Sequence, residues 1–230
     1  MTYVLSDIHG EYGLFMRLLD KIKFSDGDTL ISCGDIIDKG QDSVRLLKFI
    51  SGMPDARCIN GNHEYDFLKY YWSLMRERTG DYDGVLKKLR EYFPYDGRLL
   101  DWDAVDWIES RPYFIEENNF ICVHAGVPLG ADGRILPLER ATREQLVYDR
   151  NFKDPNLQVN GKCVFFGHTP TGYLLNGESK IIAYRREQTE GEKITDFYKI
   201  HLDTGTWLDG VLGCFCVESC TAHYVKKQAV

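Results

Sequence analysis

Three times in the first third of the chain, a short apolar run gives way to a polar corner and then to apolar positions at helical spacing. Tyr3-Val4-Leu5 runs into Asp7, after which Leu14, Phe15, Leu18, Leu19 and Ile22 recur three and four residues apart. Thr29-Leu30-Ile31-Ser32-Cys33 runs into Asp35, with a helix predicted from about Asp42 to Ile50. Ala56-Arg57-Cys58-Ile59 runs into Asn62, with a helical pattern resuming at Tyr65. Polar residues thus cluster where each strand stops. Repeated strand-to-helix units build a layered α/β sheet, whose ligands bind beyond the carboxyl ends of the strands.

From Tyr65 to Ser110 the pattern is helical and rich in aromatic residues, broken at Gly80, Pro94 and Gly97. This stretch, about 65–110, reads as a helical insertion or cap. After Tyr113 the character changes to short β runs: Phe114-Ile115, Phe120 to Val123, Cys163 to Phe166, Ile181 to Ala183, Phe197 to Leu202 and the Val211 to Val225 region. They predict a second sheet, interrupted by a helix from about Leu138 to Val147. At 230 residues the chain is long enough for one sizeable core and short for two, so one domain over 1–230 is expected.

Composition narrows the partners. No apolar run approaches the roughly 20 residues needed to span a bilayer, so no membrane role is expected. The formal charge of −7 disfavours extended nucleic acid but leaves a small phosphorylated group open. Seven cysteines is an odd number, and Cys33, Cys58, Cys122 and Cys163 sit inside apolar runs, which suits reduced thiols in the cytoplasm. The first residues carry no basic stretch followed by an apolar segment and a cleavage site, which fits the same compartment.

Five clusters carry the chemistry: DIHG at Asp7 to Gly10, GDIIDKG at Gly34 to Gly40, GNHE at Gly61 to Glu64, VHAG at Val123 to Gly126 and GHTP at Gly167 to Pro170. Any one alone reads equally well as a turn with a packed histidine or as a helix cap. All five in order, each following a strand, place carboxylates, an amide and imidazoles along one sheet edge. Oxygen and imidazole donors without thiolate suit manganese, zinc or iron rather than a structural zinc site. Two ions are implied, since one would leave ligands unused.

In these motifs, DxH, GDxxD, GNHE, HAG and GHTP, the chain resembles the phosphoprotein phosphatase branch of the calcineurin-like metallophosphoesterases, particularly its compact bacterial and phage serine/threonine phosphatases. The likeness runs from Asp7 to Gly205. It implies two mixed β-sheets packed as a sandwich and flanked by helices. It also implies that Asp7 and His9 hold a first metal, that Asp35 bridges, and that Asn62, His124 and His168 complete a second. Manganese is the expected ion, with iron and zinc as alternatives. Two such cations, about 3.5 to 4 Å apart, would activate a shared hydroxide for in-line attack on phosphorus. His63, beside Asn62, is the expected general acid, and Asp38 resembles the family carboxylate that orients it. Arg150 matches the phosphate-binding arginine of small bacterial relatives. Lys39 is the other phosphate-binding candidate and a departure, because the family usually has arginine there, and a lysine lacks the bidentate fork.

Other residues read more plainly. His201, between Ile200 and Leu202, is expected to be a packed or solvent-facing histidine, and His223 has less support still. Cys214, Cys216 and Cys220 lack zinc-knuckle spacing and read as core thiols. Tyr65, Phe67, Tyr70, Tyr71 and Trp72 read as a sheet-covering helix face before a stacking surface, and Glu64 as a brace for the GNHE turn. The expected activity is hydrolysis of phosphomonoesters, with phosphoserine or phosphothreonine in proteins first among them. The alternative is a nucleotide pyrophosphohydrolase resembling the symmetrical diadenosine tetraphosphatases. Against it stands Asp38, because those relatives typically replace the second aspartate of GDxxD. A non-catalytic binding module comes last, since every expected ligand position is filled.

Overall fold

The computed structural model describes residues 1–228. Its opening follows the hydrophobic pattern: β1 (Thr2–Leu5), α1 (Tyr12–Ile22), β2 (Thr29–Ser32), α2 (Ser43–Ser51) and β3 (Ala56–Cys58). The three strands lie parallel in the order β1, β2, β3. Alternation along β1 sorts its side chains between two cores. Tyr3 and Leu5 join Phe15 and Leu18 of α1, whereas Val4 faces the gap between the sheets with Ile31, Phe165 and Phe215.

Helices α3 (Asn62–Glu77), α4 (Tyr82–Glu91) and α5 (Trp102–Glu109) follow, sharing an apolar cluster with α2 through Val44, Leu47, Phe67, Val85, Leu89 and Val105. Helix α3 begins three residues before the predicted Tyr65. Gly61 is its extended N-cap, and Asn62 and His63 form its first turn. The second sheet is built from β4 (Phe114–Glu116), β5 (Phe120–Val123), β6 (Cys163–Phe166), β7 (Ile182–Arg185) and β8 (Phe197–His201), in the order β4-β5-β6-β8-β7. Strands β5, β6 and β8 are parallel. The predicted helix over 138–147 is shorter: a 3-10 turn at Leu138–Arg140 precedes α6 (Arg143–Tyr148), which starts where Thr142 caps the N–H of Gln145.

One expectation is corrected in topology. After a single helical turn, α7 (Thr206–Asp209), the final hairpin of β9 (Val211–Cys216) and β10 (Thr221–Lys226) leaves the second sheet and joins the first, with β9 antiparallel to β1. Parity alone cannot say which sheet offers the free edge, and the side of β1 away from β2 does. Cys214 and Cys216 are core thiols facing α1, but Cys220 sits partly exposed in the hairpin turn. Among the described residues, no helix is long and apolar enough to cross a membrane.

Candidate active site

Every motif lies immediately beyond a strand, and the loops are laced by their backbones. Asp7 N–H donates to Gly34 O at 3.1 Å, His9 N–H to Asp35 O at 2.9 Å, and Gly167 N–H to His124 O at 2.7 Å. The turns are sharp enough that Asp7, His9, Asp35, Asp38, Lys39 and His168 all adopt positive φ, between 51° and 71°. Each such residue costs roughly 1–2 kcal/mol, which the surrounding bonds must offset. Gly34 is required by both φ and space: at +92°, a Cβ there would stand 2.4 Å from Gly61 N.

The side chains converge on Asp35. His9 Nε2 lies 3.7 Å, His63 Nε2 3.9 Å and His124 Nε2 3.4 Å from Asp35 Oδ2. His9, Asp35 and His63 form one group with ligand atoms within 4.8 Å of one another, and Asp7, Asp35 and His124 form another. The shared member is Asp35, the predicted bridge. The grouping differs in placing His9 with His63 rather than with Asp7, although Asp7 Oδ1 is still only 3.9 Å from His9 Nε2. Asn62 Oδ1 lies 2.9 Å from His124 Nε2 and 2.8 Å from His168 Nδ1, which brings the remaining predicted ligands onto the same centre.

The donor set fits divalent cations. His124 Nδ1 donates to Cys33 O at 2.9 Å and His9 Nδ1 to Ile37 O at 3.1 Å, so both turn a bare Nε2 toward Asp35. His124 Nε2 therefore faces two oxygen acceptors, Asn62 Oδ1 and Asp35 Oδ2, an arrangement that favours a cation among them. Buried His168 Nε2 has no hydrogen-bond partner among the described residues. Burial pushes His9 and His168 down to about 3, leaving neutral imidazoles that carry lone pairs able to ligate. Burial also raises Asp7, with the Asp35 charge adding to it, whereas Asp35 is held low because His124, His63 and His9 outweigh its burial.

His63 behaves differently. Burial works against its charged form, but the 2.7 Å hydrogen bond from Nδ1 to Asp38 Oδ2 and the charge of Asp35 prevail, lifting it to about 9. Its Nε2 points at the ligand cluster as a proton-bearing group. Glu64 does more than brace the GNHE turn. Its carboxylate accepts from the N–H groups of Asp35, Ile36 and Gly61 at 2.8–2.9 Å and of Ile37 at 3.1 Å, tying the second loop to the third.

The cationic candidates flank the cluster. Arg150, just beyond α6, brings Nη1 to 3.5 Å from Thr169 Oγ1 beside His168. Lys39 Nζ lies 3.0 Å from His9 Nε2, on the lone pair a metal would use, rather than free in the cleft as a phosphate-binding role expects. His201 is packed, as one of its two expected readings had it: Nε2 donates to Thr169 O at 2.7 Å and the ring stacks 4.4 Å from Phe166.

Two residues escaped the sequence reading. Asp203 is buried, and burial plus the nearby Asp7 push its carboxyl well above the usual range. It follows parallel strand β8 directly, the same signal the five motifs gave. Tyr92 Oη donates to Asp38 Oδ2 at 3.1 Å from the end of α4, where no motif marks it. Beside it, Asp38, Lys39, Gly40, Ser43, Phe93, Pro94, Tyr95 and Asp96 line a cavity of about 250 Å³. A larger cavity, about 600 Å³, lies near Ile121 and Lys162 at the opposite ends of the second sheet's strands and holds none of the expected ligand residues.

Over residues 2–202 the chain matches the calcineurin-like phosphoesterase family, and it belongs to that family. Members use a dinuclear divalent metal site, for which the two groups sharing Asp35 supply candidate ligands. Across 130 residues it is 31% identical to the symmetrical bis(5'-nucleosyl)-tetraphosphatase of Erwinia tasmaniensis, a match covering 55% of this chain and 44% of that protein. The chain thus spans less than half the length of such curated relatives. A crystal structure of a candidate diadenosine tetraphosphatase superposes with a TM-score of 0.67 at 19% identity, covering 99% of this chain and 93% of that one. A protein serine/threonine phosphatase from Saccharomyces cerevisiae superposes with a TM-score of 0.55 at 14% identity, covering 100% and 80%. These two likenesses speak to the fold.

Proposed function

We propose that the chain is a metal-dependent phosphohydrolase acting on bis(5'-nucleosyl) tetraphosphates, cutting them symmetrically into two nucleoside diphosphates. The observation that carries this reading is the cavity beside Lys39. The exposed Tyr95 offers it an aromatic face of the kind on which bases stack, with buried Phe93 in the wall behind it. Lys39 in its lining and Arg150 beside His168 place positive charge along a polyphosphate's path. Curated relatives bearing this name support the same choice over a phosphorylated protein.

Asp7, His9, Asp35, Asn62, His124 and His168 would hold two divalent cations, manganese in first place with iron and zinc as alternatives. When bound, such ions supply Lewis acidity toward phosphoryl oxygens and an activated water. The chain's own residues do the rest. His63 Nε2 protonates the departing oxygen, Asp38 holds His63 in the tautomer that allows this, and Arg150 stabilises charge on the phosphoryl group. Lys39 has to leave His9 Nε2 to meet substrate. The free cysteines, six of them buried, suit a reducing compartment and support a cytoplasmic location.

A second reading, hydrolysis of phosphomonoesters such as phosphoserine or phosphothreonine, is favoured by the 2.7 Å bond between His63 and Asp38. A strong acid matters most when the leaving alkoxide is basic. The deciding experiment offers manganese-loaded protein diadenosine tetraphosphate, p-nitrophenyl phosphate and a phosphoserine peptide side by side. ADP as the sole nucleotide product is the expected result. Turnover of the two monoesters without ADP release would replace the first reading by the second.

A further inference from the structure

Asp38 Oδ2 is shared. It takes the N–H of His63 Nδ1 at 2.7 Å and the O–H of Tyr92 at 3.1 Å, so two elements meet on one oxygen: the first turn of α3 and the end of α4. A carboxylate with one donor can swing about its terminal torsion, whereas two donors on the same oxygen fix its plane. Tyr92 is itself held. Its ring stands 5.3 Å from Phe67 edge-on, stacks 6.0 Å from Tyr70, and adjoins Phe93 at 5.2 Å. Burial and the neighbouring Asp38 keep its phenol protonated, hence a donor.

We infer that Tyr92 is a positioning residue of the hydrolytic reaction: through Asp38 it aims His63 Nε2 at the leaving-group oxygen, and so makes cleavage of basic leaving groups depend on the helical region. The inference rests on the reading of the site as hydrolytic with His63 as acid. In the step concerned, the attacking water's oxygen bonds to phosphorus and the bond from phosphorus to the leaving oxygen breaks. That oxygen takes the proton from His63 Nε2, while the water's proton passes to solvent, from which His63 is recharged. Where the leaving group is already acidic, the proton is barely needed and Tyr92 is nearly silent. Where it is basic, a misdirected Nε2–H costs rate.

The test compares phenyl phosphate, whose leaving group has a pKa of about 10 like tyrosine's, with the more acidic leaving group of p-nitrophenyl phosphate. Manganese-loaded wild type, Tyr92→Phe, His63→Asn and the double variant are assayed on both. Tyr92→Phe is expected to lose roughly tenfold in kcat on phenyl phosphate, within the span general acids contribute, and less than about twofold on p-nitrophenyl phosphate. KM and manganese affinity should stay unchanged. In the His63→Asn background the tyrosine change should add nothing, as expected of residues acting as one unit. Equal losses on both substrates, a further loss in the double variant, or no loss at all would overturn the role of Tyr92 while leaving the enzyme's activity standing. A wild type that cleaves diadenosine tetraphosphate but neither ester would also overturn it, since no basic leaving group would then depend on Tyr92; one that cleaves none of the three would instead remove the hydrolytic reading and the inference with it.

Discussion

Glu64 is buried, and its two oxygens accept four backbone N–H groups, three from the loop that carries Asp35 and one, that of Gly61, from the loop before α3. Glu64→Gln turns an –NH2 against donors that need an acceptor, and an unpaired buried donor costs about 1–3 kcal/mol. The variant should unfold at lower denaturant and bind manganese more weakly, and equal values for both would show that Glu64 does not hold the loops. His201 gives a pH dependence of opposite origin. Burial depresses it to about 3, so between its ordinary 6.5 and 3 the unfolded chain binds the extra proton. Its contribution to stability is whole above 6.5 and fades as pH falls toward 3. His201→Gln, which keeps a donor for Thr169 O, should flatten the acid limb of the stability profile measured by denaturant titration. For His63 the sign reverses. Its raised value, about 9 in the metal-free protein, should fall in Asp38→Asn, as read by NMR titration of the imidazole.

Elements are placed by bonds that the pattern of apolar residues does not display. Lys199 on β8 is fully buried, with Nζ donating to Phe152 O at 3.1 Å and also to Asp154 O, and with the ring of Tyr184 4.6 Å away. It pins the loop that carries Arg150. Lys199→Met keeps the apolar stem and removes the ammonium, leaving two carbonyls without that donor. kcat/KM should fall severalfold, because a loosened Arg150 loses part of the charge stabilisation it gives the phosphoryl group. An unchanged kcat/KM would separate Lys199 from the site. The strands of the first sheet were legible because Tyr3-Val4-Leu5 and Leu30-Ile31 are short apolar runs that stop at polar corners, and the cluster around Asp35 was legible because Asp7, Asp35, His124 and His168 each follow a strand. Tyr92 was not, because nothing in a helix end foretells which distant carboxylate its side chain will reach. Nor was the destination of β9 and β10, whose apolar positions would fit either sheet. The contact of Lys39 with His9 was hidden for a related reason: the two are brought together by the turn geometry, thirty residues apart in sequence.

At the scale of the whole molecule, the two sheets and the loops between them enclose Asp7, Asp35 and Asp203 in one buried region. Burial costs these carboxylates their hydration and their charges repel one another, which is why Asp7 and Asp203 are pushed upward. The same repulsion makes bound divalent ions part of the folding equilibrium. A ligand that binds only the folded chain stabilises it by about 2.7 kcal/mol at a hundredfold excess over its Kd. For a molecule of this size, roughly 2–4 °C of melting temperature accompanies each kcal/mol. Removal of metal by chelation should therefore lower Tm by several degrees, and manganese should restore it in a concentration-dependent way. Asp35→Asn, which weakens both ligand groups at once, should abolish most of that response while melting close to the chelated wild type. A Tm indifferent to both chelator and manganese would mean that the loops hold their strained turns without any ion, and the convergence on Asp35 would need another explanation.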